Sequence, residues 1–263
     1  MSRLAATFEG LRAQSRLGVS MFVTIGYPNL DDTPAIVEGL VAAGTDFIEL
    51  GVPFSDPLAE GRSVQRSSQR ALRNGVSVKF CIETVRRCRQ KVDVPLVLMG
   101  YINPILAYGL ERFCDDAAAA GADGLIVADL SMEEASTIHA ACRAAGLDLI
   151  LFIAPTSTEE RRKTVAQLAT GFIYCISVTG VTGSRETVAD EVDGMLQGIR
   201  ALTDTPLALG FGISRPEHLE QLKGKVDAAI VGSALIDAIT EEDPAGSAAA
   251  FVRTIRGGAA VGR

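Results

Sequence analysis

Tryptophan is absent from the 263-residue chain, histidine occurs twice and lysine five times. Each scarcity removes a class of chemistry. His139 and His218 are far apart and fall in segments that read as helices, so a histidine-based metal centre is not expected. The lysines, Lys79, Lys91, Lys163, Lys223 and Lys225, lie on predicted helices or in the loop before the last strand. None is placed to reach into the fold as a Schiff-base lysine must. The five cysteines, Cys81, Cys88, Cys114, Cys142 and Cys175, are odd in number and form no C-x-x-C pair. They read as buried thiols of a reducing compartment, not as a disulfide or metal framework. There is no run of basic residues and the net charge is −7, which excludes the electrostatic footprint of a nucleic-acid binder and disfavours an anionic membrane surface. No apolar run approaches the ~20 residues that span a bilayer. The N-terminal MSRLAATFEGLRAQ spaces Leu4, Phe8 and Leu11 as one short amphipathic helix, not as the core of a signal peptide. The chain is therefore expected to be soluble and cytoplasmic.

What the sequence does contain is a regular alternation. Eight short apolar runs recur: 19–26, 47–52, 95–101, 124–130, 148–155, 172–178, 206–212 and 228–233. They are continuous, as strands buried on both faces should be. Helical patterns cover 32–43, 63–72, 77–91, 104–120, 132–145, 158–169, 190–202, 215–223, 234–240 and 245–256. Eight strands alternating with helices in a chain of this length predict a closed (β/α)8 TIM barrel. A doubly wound open sheet gives a similar pattern, but no G-x-G-x-x-G opens the first βα unit. The reading is a single domain over 1–263 with an N-terminal helix, long loops after strands 2 (53–61) and 6 (178–190), and a tail, 257–263, that is expected to fray. Both loops leave the C-terminal ends of strands, the face where barrels keep their active sites.

The ionisable residues near those strand ends are Glu49, Asp56, Glu60, Tyr101, Asp129, Tyr174 and Arg185. Glu49 lies inside the apolar run FIELGV. Burying a carboxylate is costly unless it is paired or neutralised, and such a site raises its pKa toward neutrality, where it suits proton transfer. The alternative is a structural carboxylate held by backbone or arginine. Asp56 and Glu60, on the loop that follows, read equally as solvated or helix-capping groups. Glycine clusters TGVTGS (179–184), GFGIS (210–214) and VGSAL (231–235) end strands 6, 7 and 8. Adjacent glycine-rich strand ends suit a phosphate grip made of backbone N–H groups and Ser233; turn glycines alone are the other reading. Phe22, Met99, Tyr101, Leu125, Ile153 and Tyr174 read as core filling, or as the apolar slot of a ligand pocket. Together these residues describe a phosphorylated substrate with an apolar part, processed by a buried glutamate without metal or lysine.

The segments ELGVPFSDPLAEG, GYINPILAYG, GLIVADL, APTS, SVTGVTGSR, GFGIS and VGSALI occur in this order over roughly 20–240. In that combination the chain resembles the α subunit of tryptophan synthase. The resemblance implies a lyase of tryptophan biosynthesis that cleaves indole-3-glycerol phosphate to indole and glyceraldehyde 3-phosphate by a retro-aldol reaction. It implies Glu49 as general acid–base and Glu60 as the carboxylate that holds the indole N–H. Phe22, Tyr101, Leu125, Ala128, Ile153, Tyr174 and Thr182 correspond to substrate-binding positions, and Gly183, Phe211, Gly212, Gly232 and Ser233 to the phosphate site. Asp56 and Thr182 are expected to meet when the two loops close. No cofactor or metal is expected in this chain. The implied partner is a β subunit carrying pyridoxal phosphate, in an α2β2 heterotetramer.

One stretch departs from the family pattern. The usual motif reads S-D-P-L-A-D-G-P; here Glu60 adds a methylene to the carboxylate and Arg62 replaces the proline. Displacements near 1 Å can cost ~100-fold in rate. Arg62 is expected to pair with Glu60 and depress its pKa. Ser131 stands where proline commonly follows V-A-D-L. Two alternatives follow: a free-standing indole-releasing lyase, or a catalytically weakened chain that acts as the allosteric partner of a β subunit.

Overall fold

The computed structural model describes residues 1–58, 60–176, 185–210 and 212–257, with only the backbone of 185–190. Among them the strands are β1 (Gly18–Thr24), β2 (Phe47–Gly51), β3 (Leu96–Gly100), β4 (Gly124–Val127), β5 (Asp148–Ile153), β6 (Ile173–Ile176), β7 (Leu207–Gly210) and β8 (Ala228–Val231). Each pairs in parallel with its neighbour in chain order, and β1 pairs with β8, so the sheet closes into a (β/α)8 barrel. Seven of the eight apolar runs contain their strand whole, and β1 begins one residue before its run, at Gly18. The helices are α1 (Arg3–Ala13), α2 (Thr33–Ala42), α3 (Arg62–Arg73), α4 (Val78–Arg89), α5 (Ile102–Tyr108), α6 (Leu110–Ala120), α7 (Met132–Ala145), α8 (Glu159–Leu168), α9 (Arg185–Arg200), α10 (Pro216–Leu222), α11 (Ser233–Ala238) and α12 (Pro244–Ile255).

Two expectations about boundaries are corrected. The helix expected over 104–120 is two helices, because Gly109 adopts φ +98 between α5 and α6, a value that glycine reaches without strain. The loop expected over 178–190 ends earlier, since the α9 backbone begins at Arg185. Ser131 has a clear structural role: its Oγ accepts from the Glu134 N–H and donates to the Glu134 carboxylate, capping α7.

Strand side chains alternate between two cores. Outside the barrel, residues such as Met21, Leu50, Leu98, Leu149 and Leu209 pack against the helices. Inside it, Phe47, Val97, Ile126, Ile150, Phe172 and Ala228 form a second cluster, which Leu4, Phe8 and Leu11 of α1 join. The rings of Phe8, Phe47 and Phe172 stack with centroids 5.3–5.8 Å apart. The helix expected at the N-terminus therefore plugs the end of the barrel where the strands start, and the opposite end is left for the site.

That plugged end is also tied by a repeated contact. Asp46, Asp123 and Asp227 each precede an even-numbered strand, and each accepts the first or second N–H of the odd strand before it, from Val19, Leu96 and Leu207 at 2.8 Å. Thr170 does the same before β6, taking the Leu149 N–H at 2.8 Å. The aspartates are also paired with arginines on the helices or just past their ends: Asp46 with Arg16 and Arg256, Asp123 with Arg3 and Arg89, Asp227 with Arg12 and Arg200. At Asp227 burial acts to raise the pKa, but the bonds from Arg12, the Leu207 N–H and Arg200 outweigh it and hold the carboxyl below its ordinary value of 3.8. Replacing Asp123 by alanine leaves Arg89 and the Leu96 N–H without this carboxylate. The expected loss is about 3 kcal/mol, read as a lowered urea midpoint with unchanged denaturant dependence; a loss below about 1 kcal/mol would mean that the clasp is ornamental.

Candidate active site

Glu49 sits in the middle of β2, in register with Phe22 on β1 and Val97 on β3. It points into the barrel and is 0% exposed. Ser20, one inward position before Phe22, donates a long hydrogen bond of 3.5 Å to Glu49 Oε1. Oε2 is buried with no hydrogen-bond partner. Burial, and after it the charge of Glu60, push the Glu49 carboxyl from its ordinary 4.5 up to about 8, against a smaller pull from Ser20. At neutral pH the group therefore carries its proton, which removes the cost of a charge enclosed in an apolar barrel.

Above it, at the C-terminal ends of the strands, lies a cavity of about 390 Å³, within the size range of small-molecule sites. Phe22, Met99, Tyr174 and Ile230 give it an apolar floor. Glu60 and Val64 stand at one side, and Gly210, Gly212, Ser214, Gly232 and Ser233 form the rim at another. Glu49 is fully buried and is not among the residues that line it. Two glycines keep the aromatic floor in place. A Cβ at Gly51 would come within 2.4 Å of the Phe22 ring, and one at Gly210 within 2.6 Å of the Tyr174 hydroxyl. Burial first, then the charges of Glu49 and Glu60, raise the Tyr174 phenol well above its ordinary value, so it stays a hydrogen-bond donor.

Of the residues singled out from the sequence, Phe22, Glu60, Met99, Tyr174, Gly212, Gly232 and Ser233 line this cavity. Tyr101 is buried at the N-cap of α5, with its ring 5.1 Å from that of Phe54 on the loop after β2. Ala128 is half-buried just past β4, its N–H bound to the Gly100 carbonyl. Asp129 accepts the Ile102 N–H at 2.8 Å and so caps α5. Asp56 is exposed and bonded to the Ser55 hydroxyl. Leu125 and Ile153 do not join the cavity: both belong to the core between barrel and helices. Their inward neighbours are Ile126 and Phe152, because successive side chains of a strand face opposite ways. Thr182, Gly183 and Phe211 lie outside the described residues, and with them the expected meeting of Asp56 and Thr182. Ser20, Val64, Ile230 and Asp237 contribute to the site without having been singled out; Ser20 alone had a signal, its place two residues before Phe22.

The expectation for Arg62 is overturned. Arg62 is exposed at the first position of α3, and among the described residues no ion pair joins it to Glu60. Glu60 is half-buried, and its pKa is raised from 4.5 to about 7 by burial, not depressed. Its carbonyl accepts from Gln65 Nε2 at 2.9 Å, which hooks it to the first turn of α3. The site thus holds two carboxyls that titrate near neutrality, one enclosed and one at the cavity wall. Among the described residues no three His, Cys, Asp or Glu side chains come together to hold a metal ion.

The family model described as "Tryptophan synthase alpha chain" matches residues 8–256. The "Tryptophan synthase alpha chain" of Roseiflexus sp. (strain RS-1) is 50% identical over 261 residues, covering 98% of this chain and 100% of that one. That of Chloroflexus aurantiacus is 47% identical over 259 residues, covering 97% of each. Among solved structures, tryptophan synthase subunit alpha from Legionella pneumophila str. Paris aligns with a TM-score of 0.88 at 35% identity over 97% of each chain. A chain of the aminoacrylate-bound form of tryptophan synthase from M. tuberculosis aligns with a TM-score of 0.84 at 34% identity, over 96% of this chain and 100% of that one.

Proposed function

This chain belongs to the tryptophan synthase alpha chain family, and from that premise we propose that Glu49 and Glu60 carry out the family's carbon–carbon bond cleavage, of indole-3-glycerol phosphate to indole and glyceraldehyde 3-phosphate. The bond to be broken joins indole C3 to the glycerol carbon that bears a hydroxyl. Its electrons need an acceptor. A proton delivered to C3 creates one within the substrate, since the ring nitrogen then carries the positive charge. As the bond breaks its electron pair returns to the ring, and the hydroxyl loses its proton to become the aldehyde. One proton enters and one leaves, so a single acid–base group closes the cycle.

Glu49 suits that role because it is protonated at neutral pH: it gives its proton to C3 and then recovers one from the hydroxyl. Glu60, at the cavity wall, accepts a hydrogen bond from the indole N–H and opposes the positive charge that develops there. The ring lies on the floor formed by Phe22, Met99, Tyr174 and Ile230. The phosphate lies at the rim, on the N–H groups of Gly212 and Gly232 and the Ser233 hydroxyl, with Gly183 and Phe211 joining from the resemblance. The observation that carries this reading is the protonated, enclosed Glu49 beneath a cavity that has a second carboxyl at one side and a glycine–serine rim at another. The test is direct: the purified chain given indole-3-glycerol phosphate should release indole and glyceraldehyde 3-phosphate in equal amounts, and a chain that binds the substrate and releases neither would overturn the assignment.

The chain supplies no prosthetic group to this chemistry. Its partner is a β subunit that carries pyridoxal phosphate, in an α2β2 heterotetramer. Mass measurement of the two chains mixed should give the four-chain complex. No feature of the site favours a free-standing or catalytically weakened chain.

A further inference from the structure

Helix α3 begins beside the glycine–serine rim of the cavity. Gly61, its N-cap residue, has no side chain to cap it, and Arg62 has no ring to fix its first turn. A Cβ on Gly61 would lie 3.8 Å from Ser233 Oγ, so the starts of α3 and α11 face each other. Further along, the two helices are joined by a single carboxylate. Asp237 Oδ2 accepts from Ser63 Oγ at 2.8 Å, and Oδ1 accepts from Arg66 Nη2 at 2.6 Å. Ser63 and Arg66 are three apart on α3 and present one face. Asp237 is four after Ser233 on α11 and itself lines the cavity. Gln65 of α3 in turn holds the Glu60 carbonyl. A continuous series of contacts therefore runs from Ser233 through Asp237 and α3 to Glu60.

Asp237 and Arg66 are 51% and 58% exposed at their side chains, and an ion pair that open to water does little for stability. What the contact fixes is the relative position of two short helices. A carboxylate at the phosphate end of a cavity would also repel the substrate unless a cation met it, and Arg66 does so. We propose that Asp237 is a positioning residue for the cleavage reaction: it clasps α3 to α11 and thereby sets Glu60 at a fixed distance from the substrate phosphate at Ser233. The inference rests on the roles of Glu60 and Ser233 given above. A carboxylate misplaced by ~1 Å can lose ~100-fold in rate, and releasing a clasp one turn away is expected to lose about tenfold.

The experiment is a double-mutant cycle on steady-state cleavage of indole-3-glycerol phosphate by the full chain. Asp237→Ala should lower kcat about tenfold, with Asp237→Asn in between because it keeps an acceptor for Ser63. In the Glu60→Gln background the same Asp237→Ala change should alter kcat by less than about twofold, since there is no longer a carboxylate to position. The pair Ser63→Ala with Arg66→Gln approaches the clasp from α3; it should reproduce the loss and add nothing to Asp237→Ala. A full tenfold loss in both backgrounds, or no loss in either, overturns the clasp while leaving the role of Glu60 intact. If Glu60→Gln alone is silent, the underlying reading of Glu60 has failed and the clasp fails with it.

Discussion

Glu49→Gln should lower the rate of indole release by about a thousandfold, within the range over which a positioned acid–base group acts, with KM changed by only a few-fold. Glutamine keeps the shape and the capacity to accept from Ser20 Oγ, but it has no acid proton to deliver to C3 and no basicity to take one back. The loss should fall on kcat because glutamine keeps the size and shape of the side chain and removes only the proton transfer made in the transition state. A variant retaining more than a tenth of wild-type turnover would show that another group supplies the proton. The same substitution has a second readout that does not depend on activity. Glu49 is raised from 4.5 to about 8 in the folded chain, mainly by burial. Between those values the folded state keeps a proton that the unfolded state has lost. Wild-type stability should therefore fall as pH rises across this window and level off above it, by a few kcal/mol at most. Glu49→Gln removes that slope, so its advantage over wild type should grow from pH 5 to pH 8 in urea titrations.

Glu49 was legible in the sequence because an acid inside a continuous apolar run conflicts with its surroundings, and conflicts of that kind mark sites. The barrel was legible for the opposite reason: eight runs and their helices agree with one closed topology. What the same runs conceal is which side chains face inward. A strand buried on both faces shows no alternation, so Leu125 and Ile126, or Phe152 and Ile153, are indistinguishable as letters. Only the register carried round from Phe22 and Glu49 separates them. Other features depend on contacts between residues far apart in the chain. Asp123 takes the Leu96 N–H, and Asp237 meets Ser63 and Arg66. Neither aspartate has a local motif, and each reads alone as an ordinary surface acid. The error at Arg62 has a related cause. Adjacent opposite charges suggest a pair, but Arg62 starts a helix and projects to solvent while Glu60 turns to the cavity.

The cavity-wall position of Glu60 makes Glu60→Gln the second large effect. The amide offers the indole N–H an acceptor but no charge, and loss of a preorganised electrostatic partner costs about a hundredfold in kcat. The pH dependence gives the sharper test. Glu60 must be ionised to oppose the positive ring nitrogen, and its pKa is about 7 because burial raises it. Glu49 must be protonated to start the reaction, and its pKa is about 8. Wild-type kcat/KM should therefore rise through about pH 7 and fall above about pH 8, a narrow maximum titrated by the two carboxyls as a pair. Glu60→Gln should abolish the acidic limb. It should also move the alkaline limb to lower pH, because the charge of Glu60 is one of the two causes that raise Glu49. Glu60→Asp keeps the charge but withdraws it by one methylene, so it should retain both limbs with a rate between wild type and glutamine. An acidic limb that survives in Glu60→Gln would assign that ionisation to another group, and would leave the longer carboxylate of this chain without a part in the reaction.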